Sequence, residues 1–160
     1  MAKEEWLEKR MQELLPVPYF HCVFTLPHEL NPLILQNKKV LLGLLFKSVN
    51  ETLQTFAKDP KWKLQGQLGF IAVLHTWNQQ LNDHFHLHIV IPRGALRGVE
   101  FIHSKKNKLL FPVKALSPVF AAKYRQHLTR AYKKGKLQFH GQCKPLAQPA
   151  NFYTLLEKTK

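Results

Sequence analysis

Acidic side chains are scarce in this chain: ten Asp and Glu stand against 24 Lys and Arg, leaving a formal charge of +14. A domain this basic repels itself unless a polyanion is its partner. Nucleic acid is the usual one, because each neutralised phosphate releases condensed counterions. Cysteine is scarcer still, and Cys22 and Cys143 supply neither a disulfide framework nor a zinc cluster. No apolar run approaches the roughly 20 residues that cross a bilayer. The opening MAKEEWLEKR is mixed in charge, unlike a signal peptide. A cytoplasmic protein without a membrane partner is expected. Repeats, low-complexity tracts and long linkers are missing too, so residues 1–160 read as a single domain around one core.

What is present is periodic. Apolar residues at Trp6, Leu7, Met11, Leu14 and Leu15 predict a helix over 4–15, ended by Pro16 and Pro18. Tyr19 to Leu26 alternates as a strand, with Phe20, Cys22 and Phe24 on one face and His21, Val23 and Thr25 on the other. The stretch around Asn31-Pro32 reads as a connector. Leu41, Leu42, Leu45, Phe46, Val49, Leu53 and Phe56 mark a long amphipathic helix from about Lys38 to Ala57. Leu68 to Trp77 and His84 to Ile91 form a predicted antiparallel hairpin, and a second is expected from Val99–Ile102 with Leu109–Val113. A helix follows, with Ser117 as its N-cap, Pro118 at its first position and Gly135 just beyond its end. A short helix starts near Pro149. An antiparallel sheet with helices packed on one face, an α+β sandwich, satisfies this order.

Nine histidines are unevenly spread, and three of them alternate within HFHLHIVI: His84, His86 and His88. Side chains at i and i+2 share a face of a strand, about 7 Å apart. Two neutral imidazoles so placed can chelate one divalent cation. The intervening Phe85, Leu87 and Ile89 point the other way, into the core. A third ligand must come from the neighbouring strand, and either Gln79 or His75 can reach it, depending on register. Gln79 as an oxygen donor suits Mg²⁺ or Mn²⁺, whereas His75 tilts the site toward softer metals.

HFHLHIVI resembles the pattern of histidine-triad nucleotide hydrolases and transferases, in which the middle histidine attacks phosphorus. No nucleotide-binding Asn or Gly-Gln pair leads into it, and this remains an alternative. A broader resemblance is to the two-tyrosine HUH transposases of rolling-circle bacterial insertion sequences. LLPVPYFHCVFTLPHELNPL (14–33) is similar to that family's first strand, including FTLP. GFIAVLHTWNQQL (69–81) followed by HFHLHIVIPRGAL (84–96) resembles its strand pair, and FPVKALSPVF (111–120) is similar as well. The resemblance implies His86 and His88 as metal ligands. It also implies an HUH endonuclease-like fold with this strand in the middle of the sheet, and nicking of single-stranded DNA at element ends through a phosphotyrosine link.

The family's tyrosine pair belongs to a segment resembling Tyr-Leu-Gly-Arg-Tyr, which is not found before Lys160, and its cysteine-rich zinc module is not found at the amino end. Tyr124 and Tyr132 lie eight apart on the predicted basic helix, roughly 12 Å along its axis, but an aromatic stripe at helical spacing is ordinarily core. The chain is therefore expected to bind metal and DNA and to cleave DNA poorly or not at all. Lys123, Arg130 and Lys134, at seven- and four-residue steps, are the expected phosphate contacts. A non-catalytic nucleic-acid-binding module is the remaining alternative.

Overall fold

The computed structural model describes residues 5, 12–77, 82–105 and 110–159. The helix expected over 4–15 lies largely outside them. Strand β1 (Tyr19–Thr25) leads through a 3-10 turn into helix α1 (Asn31–Gln36) and the long helix α2 (Lys38–Lys58). Strands β2 (Ile71–Trp77), β3 (Asp83–Pro92), β4 (Gly94–Arg97) and β5 (Glu100–His103) follow, then helices α3 (Val113–Lys133) and α4 (Pro149–Glu157).

The main sheet runs β1-β3-β2 with both pairings antiparallel. Strand β3 takes the centre, and its alternate residues Phe85, Leu87, Ile89 and Ile91 are all buried. Helices α2 and α3 cover that face. Leu41, Leu45, Val49 and Leu53 recur every fourth residue along α2, and Leu116, Phe120, Tyr124 and Leu128 do the same along α3. Such four-residue rows are the ridges by which helices interlock. The Phe120 ring meets Phe24 of β1 edge-on at 5.0 Å, which fixes α3 against the helix side of the sheet. The expected architecture, an antiparallel sheet with helices on one face, is the one observed.

Three local expectations are corrected. The second hairpin pairs β4 with β5 around Gly98 and Val99, one element earlier than predicted. Gly98 adopts φ +62°, which a tight turn needs and which glycine reaches without strain. Helix α3 begins at Val113 after Pro112, so Ser117 is not its N-cap and Pro118 lies inside it. There the missing N–H forfeits a bond to the Lys114 carbonyl, a cost that the buried face of the helix outweighs. Asn31-Pro32 opens α1 instead of a loop, because a proline in the first helical turn has no intrahelical bond to lose. Gly135 does close α3: at φ +61° it donates to the Tyr132 carbonyl while Lys136 N–H reaches Ala131, a Schellman cap.

Candidate metal centre and its surroundings

The parity that buries Phe85, Leu87 and Ile89 turns His86 and His88 to the side of the sheet away from the helices. Strand register then decides what surrounds them. His86 stands between Thr25 of β1 and His75 of β2, and His88 between Val23 and Val73. One ring nitrogen from each of His75, His86 and His88 falls within 4.8 Å of the others, close enough for one cation to meet all three after small ring rotations. Ring centroids are 4.3 Å apart for His75 and His88, 5.3 Å for His75 and His86, and 5.0 Å for His86 and His88. Of the two residues considered for the third position, His75 is thus brought to the pair, while Gln79 lies outside the described residues. Past His75 the ladder shifts register, so that Trp77 faces Asp83.

The donor chemistry fits a divalent cation. His86 Nδ1 lies 3.0 Å from the His84 carbonyl, which can only accept, so the Nδ1 proton is held there and Nε2 keeps its lone pair. His88 is held below the ordinary histidine range by partial desolvation and then by the neighbouring His75, His86 and His21. Both effects favour the neutral ring, the form that binds metal. At the base of the strand, Asn31 Nδ2 donates to the Asp83 carbonyl at 2.7 Å and ties α1 to the start of β3.

Sequence reasoning missed His21. Its Nε2 lies 2.8 Å from His88 Nδ1, and the two rings stack at 13° with centroids 5.0 Å apart. The available signal was its outward parity on β1. Exposed apolar side chains share this face, namely Val23, Ile71, Val73 and Trp77. Cys22 points the other way, and burial raises its thiol to about 11, which keeps it protonated and out of the cluster.

The tyrosines considered as nucleophiles sit on the helix side. Tyr124 is 3% exposed, its hydroxyl donates to the Leu41 carbonyl at 3.3 Å, and burial pushes its ionisation well above the usual phenol range. Tyr132 donates to the Ala147 carbonyl at 2.7 Å and stacks on Phe152 at 3.9 Å. Tyr124 therefore serves packing between α3 and α2, and Tyr132 packing between α3 and the carboxy-terminal segment. The three basic residues singled out on α3 part company. Arg130 lines a groove of about 400 Å³ between α3 and α4 together with Arg125, Lys133 and Tyr153. Lys134 is exposed at the end of the helix, and Lys123 lies near Glu51, whose carboxylate it helps to hold ionised. Arg125 and Lys133 are groove cations that heptad spacing alone did not select.

Residues 69–160 match the family model described as "Putative transposase", and residues 1–26 match one described as "Transposase zinc-binding domain". A curated relative, "Putative transposase y4qJ" of Sinorhizobium fredii (strain NBRC 101917 / NGR234), is 45% identical over 91% of this chain and 37% of its own length. The "Transposase for insertion sequence element IS801" of Pseudomonas savastanoi pv. phaseolicola is 34% identical over 59% of this chain and 22% of its own. The chain therefore spans well under half of these relatives. Among solved structures, a conjugative relaxase TrwC in complex with mutant OriT DNA superposes with a TM-score of 0.50 at 15% identity, covering 76% of this chain and 47% of that one. A copper-bound TrwC complex gives 0.50 at 14%, covering 69% and 42%. These likenesses speak for a shared relaxase-like fold. Among the described residues no helix is long and apolar enough to cross a membrane. With a family model matched over more than half of its 160 residues, the chain belongs to this transposase family.

Proposed function

We propose that this chain provides the metal- and DNA-holding face of a transposase that nicks single-stranded DNA at the ends of its element. The observation that carries the reading is the convergence of His75, His86 and His88 on the face of the sheet opposite α2 and α3, in a chain of this family. A divalent cation held there supplies Lewis acidity to a scissile phosphate. The residues of the chain do the rest. His75, His86 and His88 present lone pairs from two adjacent strands, and the His84 carbonyl keeps the His86 proton on the far nitrogen. Exposed Trp77, with Val23 and Val73, offers unpaired bases an apolar and stacking surface beside the cluster. The groove cations Arg125, Arg130 and Lys133, and Lys134 beside them, contact phosphates of the flanking strand. Tyr124 and Tyr132 are not the nucleophile, since each hydroxyl is committed to a backbone carbonyl.

An all-imidazole donor set favours Mn²⁺ and softer ions over Mg²⁺. A histidine-triad hydrolase draws its histidines from one strand, whereas here the cluster recruits His75 from another, and family membership favours transposition. The cytoplasm, where element DNA is accessible, is the proposed location.

Fluorescence anisotropy with a single-stranded oligonucleotide tests the reading. Binding should weaken steeply with salt, strengthen with Mn²⁺, and lose that Mn²⁺ dependence in His88→Ala. A non-catalytic binding module is the answer instead if neither chelator nor His88→Ala changes the affinity. Appearance of a covalent DNA adduct on Tyr124 or Tyr132, located by peptide mass spectrometry, would overturn their assignment to packing.

A further inference from the structure

The metal reading leaves unexplained why a fourth histidine, from a third strand, touches the cluster. We propose that His21 is a positioning residue that sets the ring orientation and tautomer of His88; the proposal rests on the assignment of His88 as a ligand. His21 sits opposite Val90, and its strand neighbour Val23 sits opposite His88, so His21 and His88 are diagonal partners across the β1–β3 ladder. A diagonal pair is within reach of long or aromatic side chains. Here it closes to 2.8 Å between His21 Nε2 and His88 Nδ1.

Two ring nitrogens at this distance share one proton, one ring donating and the other accepting. With Nδ1 engaged by His21, the nitrogen that His88 has left for a cation is Nε2. A lone pair on Nε2 of a neutral ring puts the proton on Nδ1, which then donates to His21 Nε2. His86 is treated in the same way by the His84 carbonyl, 3.0 Å from its Nδ1. His86 and His88 thus both have Nδ1 occupied and Nε2 left for a cation, one through a backbone acceptor and one through a side chain. Only the second can be removed by substitution. The near-parallel stacking of the His21 and His88 rings adds a packing contact that must be separated from the hydrogen bond.

Two variants of the 160-residue chain make that separation. His21→Phe keeps the ring and removes the acceptor; His21→Gln removes the ring and returns an acceptor near the Nε2 position. Mn²⁺ affinity is measured by isothermal titration, and Co²⁺ binding by its visible absorption, which reports ligand geometry without any DNA. His21→Phe should weaken Mn²⁺ binding by about 10- to 100-fold and alter the Co²⁺ spectrum, with His21→Gln restoring affinity to within about threefold. Equal binding by His21→Phe and the wild type, or equal loss in the Phe and Gln variants, overturns the positioning role while leaving the metal site standing. A wild-type chain that binds neither ion overturns both. Should His21→Phe fail to fold by circular dichroism, His21→Leu takes its place under the same criteria.

Discussion

The two faces of strand β3 are made by the same backbone, one residue apart, and obey different rules. Phe85, Leu87 and Ile89 are at most 1% exposed and pack under helices whose buried rows are mostly apolar. His86 and His88 alternate with them and meet other histidines. On the first face a side chain is selected by volume; on the second, under the proposed metal-binding role, by a lone pair and the direction in which it points. A sheet with one face buried under α2 and α3 can therefore carry a cluster of polar rings on the other without weakening its core, because the period of two keeps the two requirements apart.

Substitutions that cross this division should separate most sharply. Leu87→Ala removes a fully buried side chain and should cost about 3 kcal/mol or more in urea unfolding. His88→Ala should cost less than about 1 kcal/mol, the range of half-exposed surface changes, while removing Mn²⁺ binding. A destabilisation by His88→Ala as large as that of Leu87→Ala would make the histidine face structural. Next in size comes Tyr124→Phe, which deletes the donor to the Leu41 carbonyl. About 1 kcal/mol of stability should be lost, with DNA affinity unchanged; a loss of DNA handling at full stability would move Tyr124 to the functional side.

The smallest effect lies at the α2–α3 contact. Burial alone would raise Glu51, but the hydrogen bond and charge of His127, 2.7 Å away, together with Lys47 and Lys123, hold it below its ordinary 4.5. A depressed carboxylate stabilises the fold above its unfolded value, and that contribution disappears as pH falls through the folded one. Thermal melts should therefore lose stability as pH drops below 4.5, and Glu51→Gln should flatten that fall by less than about 1 kcal/mol, since the carboxylate is partly solvated.

Much of this division was legible before any coordinates. Period two in HFHLHIVI separates the two faces of β3, and four-residue steps mark the buried row of α2. What periodicity does not carry is register. The choice between His75 and Gln79, and the meeting of His21 with His88, both depend on how neighbouring strands are offset, which is set by turns and packing far from the histidines. The second hairpin was displaced because the polar run after His103 outweighed Gly98, a single residue whose missing side chain is what allows the turn. Ser117-Pro118 imitates a helix start, yet the apolar row of α3 already extends back to Leu116 and its helix to Val113. The basic groove escaped notice because its cations belong to one stripe of α3 and its other wall to α4.

The register shift between His75 and Trp77 bears on how such a site withstands sequence drift. Pairing is uniform from Ile71↔Val90 to His75↔His86, and the offset occurs only after it. The histidines are thus insulated from whatever connects the two strands. An insertion between Trp77 and Asp83 can be absorbed on the far side of the offset, whereas one residue added between 71 and 75 would rotate His75 onto the helix side. The five-residue blocks 71–75 and 86–90 thus keep one uniform register, and the geometry of the histidines is set within them.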